Sequence, residues 1–210
     1  MTLRIAAGLS LALGVAALLG FLTLLGTGPF AGPGPRHMRD MKDRREPPPV
    51  VRPATLASFD SLPYLRPLAE YAALERRGVV IEGYIQHMLR APDGDTHLEV
   101  TGAAGEPGSQ TRYVTAEITP QWYRGAPAWS FERLRQAFRP ASGGGATWWG
   151  APPRRVRLSG WLMNDYVFDP RLPNHRRLPY IQRQSGWELH PVTKIEVWDE
   201  AESAFAEVPR

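Results

Sequence analysis

Cysteine is absent from the 210 residues of this chain. The absence excludes disulfide bonds, thiolate metal ligands and cysteine nucleophiles. The sequence also contains no phosphate-binding loop, dinucleotide-binding fingerprint, nucleophile elbow or zinc-protease motif. Charge of one sign does not dominate, because 25 Lys and Arg accompany 21 Asp and Glu without forming a basic stripe. These absences favour a non-enzymatic protein, argue against nucleic acid as its partner, and lead us to assign no cofactor, metal or small-molecule substrate.

An uncharged run extends from Ile5 to Gly26. As a helix it would span roughly 33 Å, about the thickness of a bilayer core. The run is longer than the apolar region of most signal peptides, so it predicts a transmembrane helix, with a cleaved signal peptide as the alternative. Because no cysteine follows it, a lipoprotein anchor is excluded.

Small residues recur along this run at every fourth position, namely Gly8, Ala12, Ala16 and Gly20. They would lie on one helix face, which is the pattern that allows another membrane helix to approach closely. The alternative is that glycine and alanine are simply common in a run of this composition. We take the stripe as a helix-packing surface for a membrane-embedded protein partner.

The orientation signals conflict. Arginines and lysines follow the run, which by the positive-inside rule would place the remaining chain in the cytoplasm. Acidic residues are interspersed among them, however, and a short basic tip before a long apolar run is typical of an uncleaved export signal. We therefore expect a single-pass protein of the bacterial inner membrane. For its soluble domain we favour the periplasm over the cytoplasm.

The composition divides the chain into six segments. Proline and glycine are frequent after the apolar run, which predicts a linker, and a short stretch with helical spacing follows it. The predicted segments are an N-terminal tip at 1–4, the transmembrane helix at 5–26, the linker at 27–63, a short helix at 64–78, the domain at 79–198 and an acidic tail at 199–210.

Within the domain, apolar residues alternate with polar ones in five segments, which predicts five strands. The predicted strands cover 79–88, 96–102, 112–119, 154–165 and 187–198, and the helix 130–138 lies between the third and the fourth. Three strands, one helix and two strands is the order of the OB-fold, a five-stranded β-barrel. The predicted fold class is therefore an all-β barrel preceded by one transmembrane helix.

The segments "EITPQW", "GWLMND" and "GWELHPVTKIEV" resemble a family of uncharacterised bacterial OB-fold-like domains. In that family, a strand of the type "GWEIHPVTKIEV" closes the barrel. The resemblance covers about residues 79–198 and implies the fold, but it implies no particular activity.

A polar face of the barrel is the candidate ligand or partner surface. Strand parity predicts that its side chains point away from the barrel interior, and its members are His97, Glu99, Glu117, Trp161, Glu188 and His190. Histidines and carboxylates could form a metal or acid–base site there, but their spacing matches no known motif, and structural imidazole–carboxylate pairs are the alternative.

Tryptophans offer a second kind of surface. Trp122, Trp161, Trp187 and Trp198 could stack on bases or sugars, although covering the barrel ends is the alternative. Trp148 and Trp149 lie in the Gly- and Pro-flanked stretch "GGGATWWGAPP", which predicts a loop that contacts a membrane or a partner.

The leading functional prediction is a membrane-anchored accessory subunit of a larger membrane protein complex. It would dock through its transmembrane helix and its barrel, with the lipid bilayer and a membrane-embedded protein as partners. The alternatives are an OB-fold module that binds single-stranded nucleic acid or glycan, and a metal-dependent hydrolase that uses His97 and His190.

Overall fold

The computed structural model describes residues 35–104, 111–139, 153–172 and 182–210. Its strands are β1 (Val51–Pro53), β2 (Gly78–Arg90), β3 (Thr96–Thr101), β4 (Arg112–Ile118), β5 (Arg155–Asn164), β6 (Gln182–Arg183), β7 (Trp187–Asp199) and β8 (Ala204–Glu207). Its helices are α1 (Pro35–Lys42), α2 (Leu68–Leu74), α3 (Pro120–Tyr123) and α4 (Phe131–Phe138), with 3-10 turns at Leu56–Ser61, Pro127–Trp129 and Tyr166–Phe168.

Five strands close into a barrel. Strand β2 pairs antiparallel with β3 and β5, β3 pairs antiparallel with β4, and β5 pairs antiparallel with β7. A parallel pairing of β4 with β7, at Ala116 and Leu189, completes the circle. The prediction of a five-stranded β-barrel is thus confirmed, and α4 lies between β4 and β5 in the chain as predicted.

Alternation of apolar and polar residues builds the core of the barrel. The inward side of the alternation in the first four predicted strands is buried: Val79, Ile81, Ile85, Leu98, Val100, Val114, Ala116, Ile118, Val156, Leu158, Gly160 and Leu162. Helix α4 adds Leu134 and Phe138 to the same core. At Gly160, a Cβ atom would lie 2.5 Å from the carbonyl oxygen of Pro191, so glycine allows the two backbones to approach closely.

A second layer covers part of the outside of the barrel. Strand β4 from Tyr113 onward and the first half of β7 are buried at every position, although strand parity places alternate residues outside the core. Helices α1 and α3 contact β7, the 3-10 turn Leu56–Ser61 contacts β4, and β6 pairs with β4. Polar residues on this side of the sheet are therefore enclosed between the barrel and its cover.

The predicted linker and tail differ from what the structure shows. Part of the 27–63 segment is ordered against the barrel, because β1 pairs in parallel with β2 and the turn Leu56–Ser61 buries Phe59. Proline does not prevent this, since β1 adds only to the edge of β2. The predicted helix 64–78 is shorter in the structure, where it is α2. The predicted tail 199–210 contains β8, which pairs with β7.

None of the helices among the described residues is long and apolar enough to cross a membrane. The predicted transmembrane helix 5–26, with Gly8, Ala12, Ala16 and Gly20, lies outside the described residues. The same holds for the predicted loop that contains Trp148 and Trp149.

Candidate functional site

The predicted exposed polar face is in fact largely buried. Glu188 and His190 are 0% exposed and Glu117 is 1% exposed, whereas His97 and Glu99 are half-buried. Strand parity places these side chains on the outer side of the sheet, but the second layer covers that side. The prediction of an open surface is therefore wrong for Glu117, Glu188 and His190. These residues instead form an enclosed cluster of charged groups.

His190 lies at the centre of this cluster. Its Nδ1 atom is 2.8 Å from Glu188 Oε1 and 3.0 Å from Glu117 Oε2. Its Nε2 atom faces Asp95 Oδ2 at 3.4 Å and has no hydrogen-bond partner among the described residues. An imidazole that contacts three carboxylates while excluded from solvent is a high-energy arrangement unless positive charge compensates it.

The electrostatics of the cluster are dominated by these contacts. Burial alone lowers the pKa of His190, but the charge of Glu117 and the contacts with Asp95 and Glu188 raise that pKa well above its usual value. Burial raises the pKa of Glu117, but the charge and hydrogen bond of His190, with the charges of His97 and Lys42, lower it by more, so the net pKa lies below the usual range. In the absence of another cation, His190 is therefore protonated and Glu117 is ionised.

Two basic residues flank the carboxylates. Arg183 forms an ion pair with Glu188. The Lys42 Nζ atom lies 3.3 Å from Asp93 Oδ2 and 3.8 Å from Asp95 Oδ2. Burial lowers the pKa of Lys42, but nearby carboxylates, Glu117 first among them, raise it more, so the ammonium stays charged.

Asp165 is a further buried carboxyl near the cluster. Burial and the charge of Glu188 raise its pKa to about 7. Its Oδ1 atom has no hydrogen-bond partner in the part of the chain that the structure describes. Strongly shifted pKa values of this kind are common at functional sites, although structural ion-pair networks also produce them.

The other predicted histidine extends the cluster towards the surface. His97 on β3 is opposite Glu117 on β4, and its Nε2 atom lies 3.3 Å from Glu117 Oε1. Glu117 thus bridges the two histidines that the hydrolase hypothesis named. Glu99 instead pairs at 3.3 Å with His87, which the sequence prediction did not include.

Asp95, Glu117 and His190 together have the donor set of a metal site. Each residue offers one ligand atom, and the three atoms lie within 4.8 Å of one another. Two ligands of one ion are about 3–4 Å apart when each bond is about 2.1 Å, so the ligand atoms would move closer together on binding, and the Glu117 carboxylate would turn from Nδ1 towards Nε2. Glu188 can receive the Nδ1 proton and orient the ring, which is a common role of the carboxylate behind a ligating histidine.

A cavity of about 450 Å³ lies beside one member of this set. Asp95 lines it, together with Lys42, Asp93, Thr119 and others. The hydroxyl of Thr119 is buried and has no hydrogen-bond partner within the described ranges. Glu117 and His190 do not line the cavity, so Asp95 is the member of the set that a ligand in the cavity would contact.

A larger cavity of about 1020 Å³ lies elsewhere, between β1 and β8. The charged groups along its floor already have partners: Glu82 pairs with Arg155 and Arg157, and Lys194 pairs with Glu196. None of the residues of the His190 cluster lines it. We therefore place the candidate site beside the smaller cavity, which Asp95 of the His190 cluster lines.

Two of the four tryptophans that were candidates for stacking are buried. Trp122 is buried and stacks against Trp129, and Trp187 is buried with its indole donating to the Pro63 carbonyl at 2.7 Å. Trp161 does not join the His190 cluster, because its indole donates to the Glu46 carbonyl at 2.8 Å and its ring is covered by Arg44. Trp122 and Trp187 are therefore not accessible for stacking on bases or sugars.

Sequence reasoning missed Asp95, Lys42, Asp165 and Arg183. Asp95 lies in the stretch "APDGD", which is a turn signal, and Asp165 is the last residue of the predicted strand 154–165. Lys42 and Arg183 belong to covering segments without alternation. The one sequence pattern that points to any of these residues is the spacing of Asp95 and His97, two positions apart at the start of a strand.

No protein-family model matches the chain, and no curated protein matches it.

Proposed function

We propose that the protein is a divalent-cation-binding domain whose ligands are Asp95, Glu117 and His190. The observation that carries the proposal is the buried His190 Nε2 atom, which faces Asp95 without a hydrogen bond while Nδ1 contacts Glu188. A dication can replace the imidazolium proton as the positive charge that the surrounding carboxylates require. Imidazole nitrogen with carboxylate oxygens suits Zn²⁺, Mn²⁺ or Fe²⁺ better than Ca²⁺ or Mg²⁺, which prefer oxygen ligands.

Three protein ligands leave a coordination position for water or a substrate, as in catalytic metal sites. The cavity beside Asp95 supplies room for that fourth ligand. A metal-bound water becomes a nucleophile near neutral pH, so the reaction class that this site favours is metal-assisted hydrolysis. This proposal departs from the sequence-based expectation of a non-enzymatic protein.

The test is metal binding by the full-length chain in mild detergent. The metal-free protein is titrated with Zn²⁺ and with Mn²⁺ in a calorimeter, and bound metal is measured after dialysis. We expect one equivalent bound, with the affinity reduced about tenfold or more in Glu117→Gln and His190→Gln. The matched control is His87→Ala, which removes a histidine–carboxylate pair outside the cluster and should leave the affinity unchanged. No saturable binding, or equal loss in the control, would overturn the proposal.

We infer further that the barrel is an OB-fold. Supporting this are the pairings β2–β3, β3–β4, β2–β5, β5–β7 and β4–β7, with α4 between β4 and β5. This connectivity also supports membership of the uncharacterised OB-fold-like family. Contacts between Ala116 and Leu189 in nuclear Overhauser spectra test it, since a barrel of different strand order would lack them.

The predicted accessory role is a second candidate function. It is supported by the uncharged run from Ile5 to Gly26 and its stripe of small residues. We propose that this segment anchors the domain in the inner membrane beside an embedded protein partner. Purification from native membranes in mild detergent tests the proposal: a monomer without a co-purifying membrane protein would contradict it.

A further inference from the structure

The Lys42 ammonium lies beside Asp95, one of the proposed ligands of the cation. Its ammonium is 3.8 Å from Asp95 Oδ2, and both residues line the same cavity. Lys42 also faces Asp93, whose carboxylate it contacts at 3.3 Å. The lysine is therefore a built-in counter-ion at the mouth of the proposed cation site.

The helix that carries Lys42 lies at the surface. Helix α1 has eight residues, and none of its described side chains is fully buried. Met38 and Met41 are half-buried, and polar contacts add to them: His37 pairs with Glu75, and the Asp43 carboxylate just beyond the helix accepts from Gln121 at 2.9 Å. A surface helix without a fully buried side chain opens at a lower cost in free energy than the strands of the core.

We propose that a divalent ion at Asp95, Glu117 and His190 competes with Lys42 and loosens α1, so that this helix is a cation-responsive cover of the site. The inference rests on the proposed function. Asp95 cannot keep the ammonium close while its oxygen binds a dication, because the two positive charges then lie a few ångströms apart and repel each other. The released helix uncovers the cavity through which the fourth ligand of the ion would enter.

Two measurements on the full-length protein in detergent test this. The first is the affinity for Zn²⁺ or Mn²⁺ in the variant Lys42→Gln, which removes the competing charge and keeps much of the side-chain length. We expect binding that is about tenfold tighter than in the wild type. The control is Arg39→Gln, because Arg39 is a cation of the same helix and lines the same cavity without an ion pair to Asp95. Its affinity should change by less than about threefold.

The second measurement is amide hydrogen exchange of residues 35–44 with and without the metal. Faster exchange in the metal-bound protein is expected, with the same increase in metal-free Lys42→Gln. If no variant binds metal, the cation site itself is wrong and this inference falls with it. If the wild type binds metal while Lys42→Gln binds no more tightly and exchange in α1 is unchanged or slower, the cation site stands and the cover is refuted.

Discussion

Glu117 and His190 meet because their preceding neighbours, Ala116 and Leu189, are paired across the parallel strands β4 and β7. That pair is buried in the core, so the next residue on each strand faces the opposite side of the sheet. There the His190 Nδ1 atom lies 3.0 Å from Glu117 Oε2. The closure of the barrel thus also assembles the centre of the candidate site.

Removing the imidazole should destabilise the metal-free protein strongly. In His190→Ala, the buried carboxylates Asp95, Glu117 and Glu188 lose their central positive partner. We expect the free energy of unfolding to fall by about 3–5 kcal/mol, as when one partner of a buried ion pair is deleted. Urea unfolding followed by tryptophan fluorescence measures it. His87→Ala, which breaks a partly buried pair with Glu99 outside the cluster, should cost clearly less, and equal losses would contradict the central role of His190.

Asp165 should make stability depend on pH. Its pKa is about 7 in the folded protein against 3.8 as the usual value, so the folded state binds more protons between these limits. The stability contributed by the protonated carboxyl is complete below pH 3.8 and is lost as the pH rises to about 7.

Asp165→Asn stays neutral, so its stability relative to the wild type should increase through that window and level off above pH 7. The gain should reach at most roughly 4 kcal/mol, from the size of the pKa shift. Urea unfolding of both proteins in chelator, from pH 4 to pH 8, measures the difference. Asp60→Asn, at an exposed carboxyl, is the control. A constant difference for Asp165→Asn would refute the assignment.

Gly160→Ala should distort the contact between β5 and β7. The added Cβ would lie 2.5 Å from the Pro191 carbonyl oxygen, which is backbone and cannot rotate away. We expect a loss of about 1–3 kcal/mol in stability, typical of overpacking. Gly125→Ala is the matched control, because nothing lies within 4 Å of its Cβ position. Thermal unfolding should separate the two variants, and similar melting temperatures would count against the close approach.

Phe59→Ala tests whether the segment predicted as a linker belongs to the core. Phe59 is 1% exposed and packs in the main hydrophobic cluster. Its truncation should cost about 3–5 kcal/mol, whereas a residue of a free linker could be changed without effect. Val50→Ala, at a position that is 61% exposed, is the control and should stay within about 0.5 kcal/mol of the wild type. Urea unfolding measures both.

The sequence predicts the barrel well because alternation has a direct physical cause. Leu98 and Val100 must face the core, so the strand they belong to and its inner face can be read from the chain. The same parity places His97, Glu117 and His190 on the outer side. What parity cannot predict is whether the outer side is covered, since that depends on the packing of distant segments.

The site itself is therefore predictable only in part. Glu117 and His190 come from regular strands, and both are among the predicted face residues. Lys42 and Arg183 come from a short helix and a two-residue strand, where neither periodicity nor a motif marks them. Their role arises from the tertiary structure alone.

The close fit of Gly78 against Pro48 has a consequence for the limits of the folding unit. A Cβ at Gly78 would lie 2.4 Å from the Pro48 Cβ atom, so the chain that leads into β1 fits tightly against the start of β2. A protein shortened to begin at Val79 would lose β1 and leave the start of β2 with an unpaired edge. Such edges recruit strands from other molecules and cause aggregation. The smallest autonomous unit thus starts before the barrel, with the residues that also form its cover.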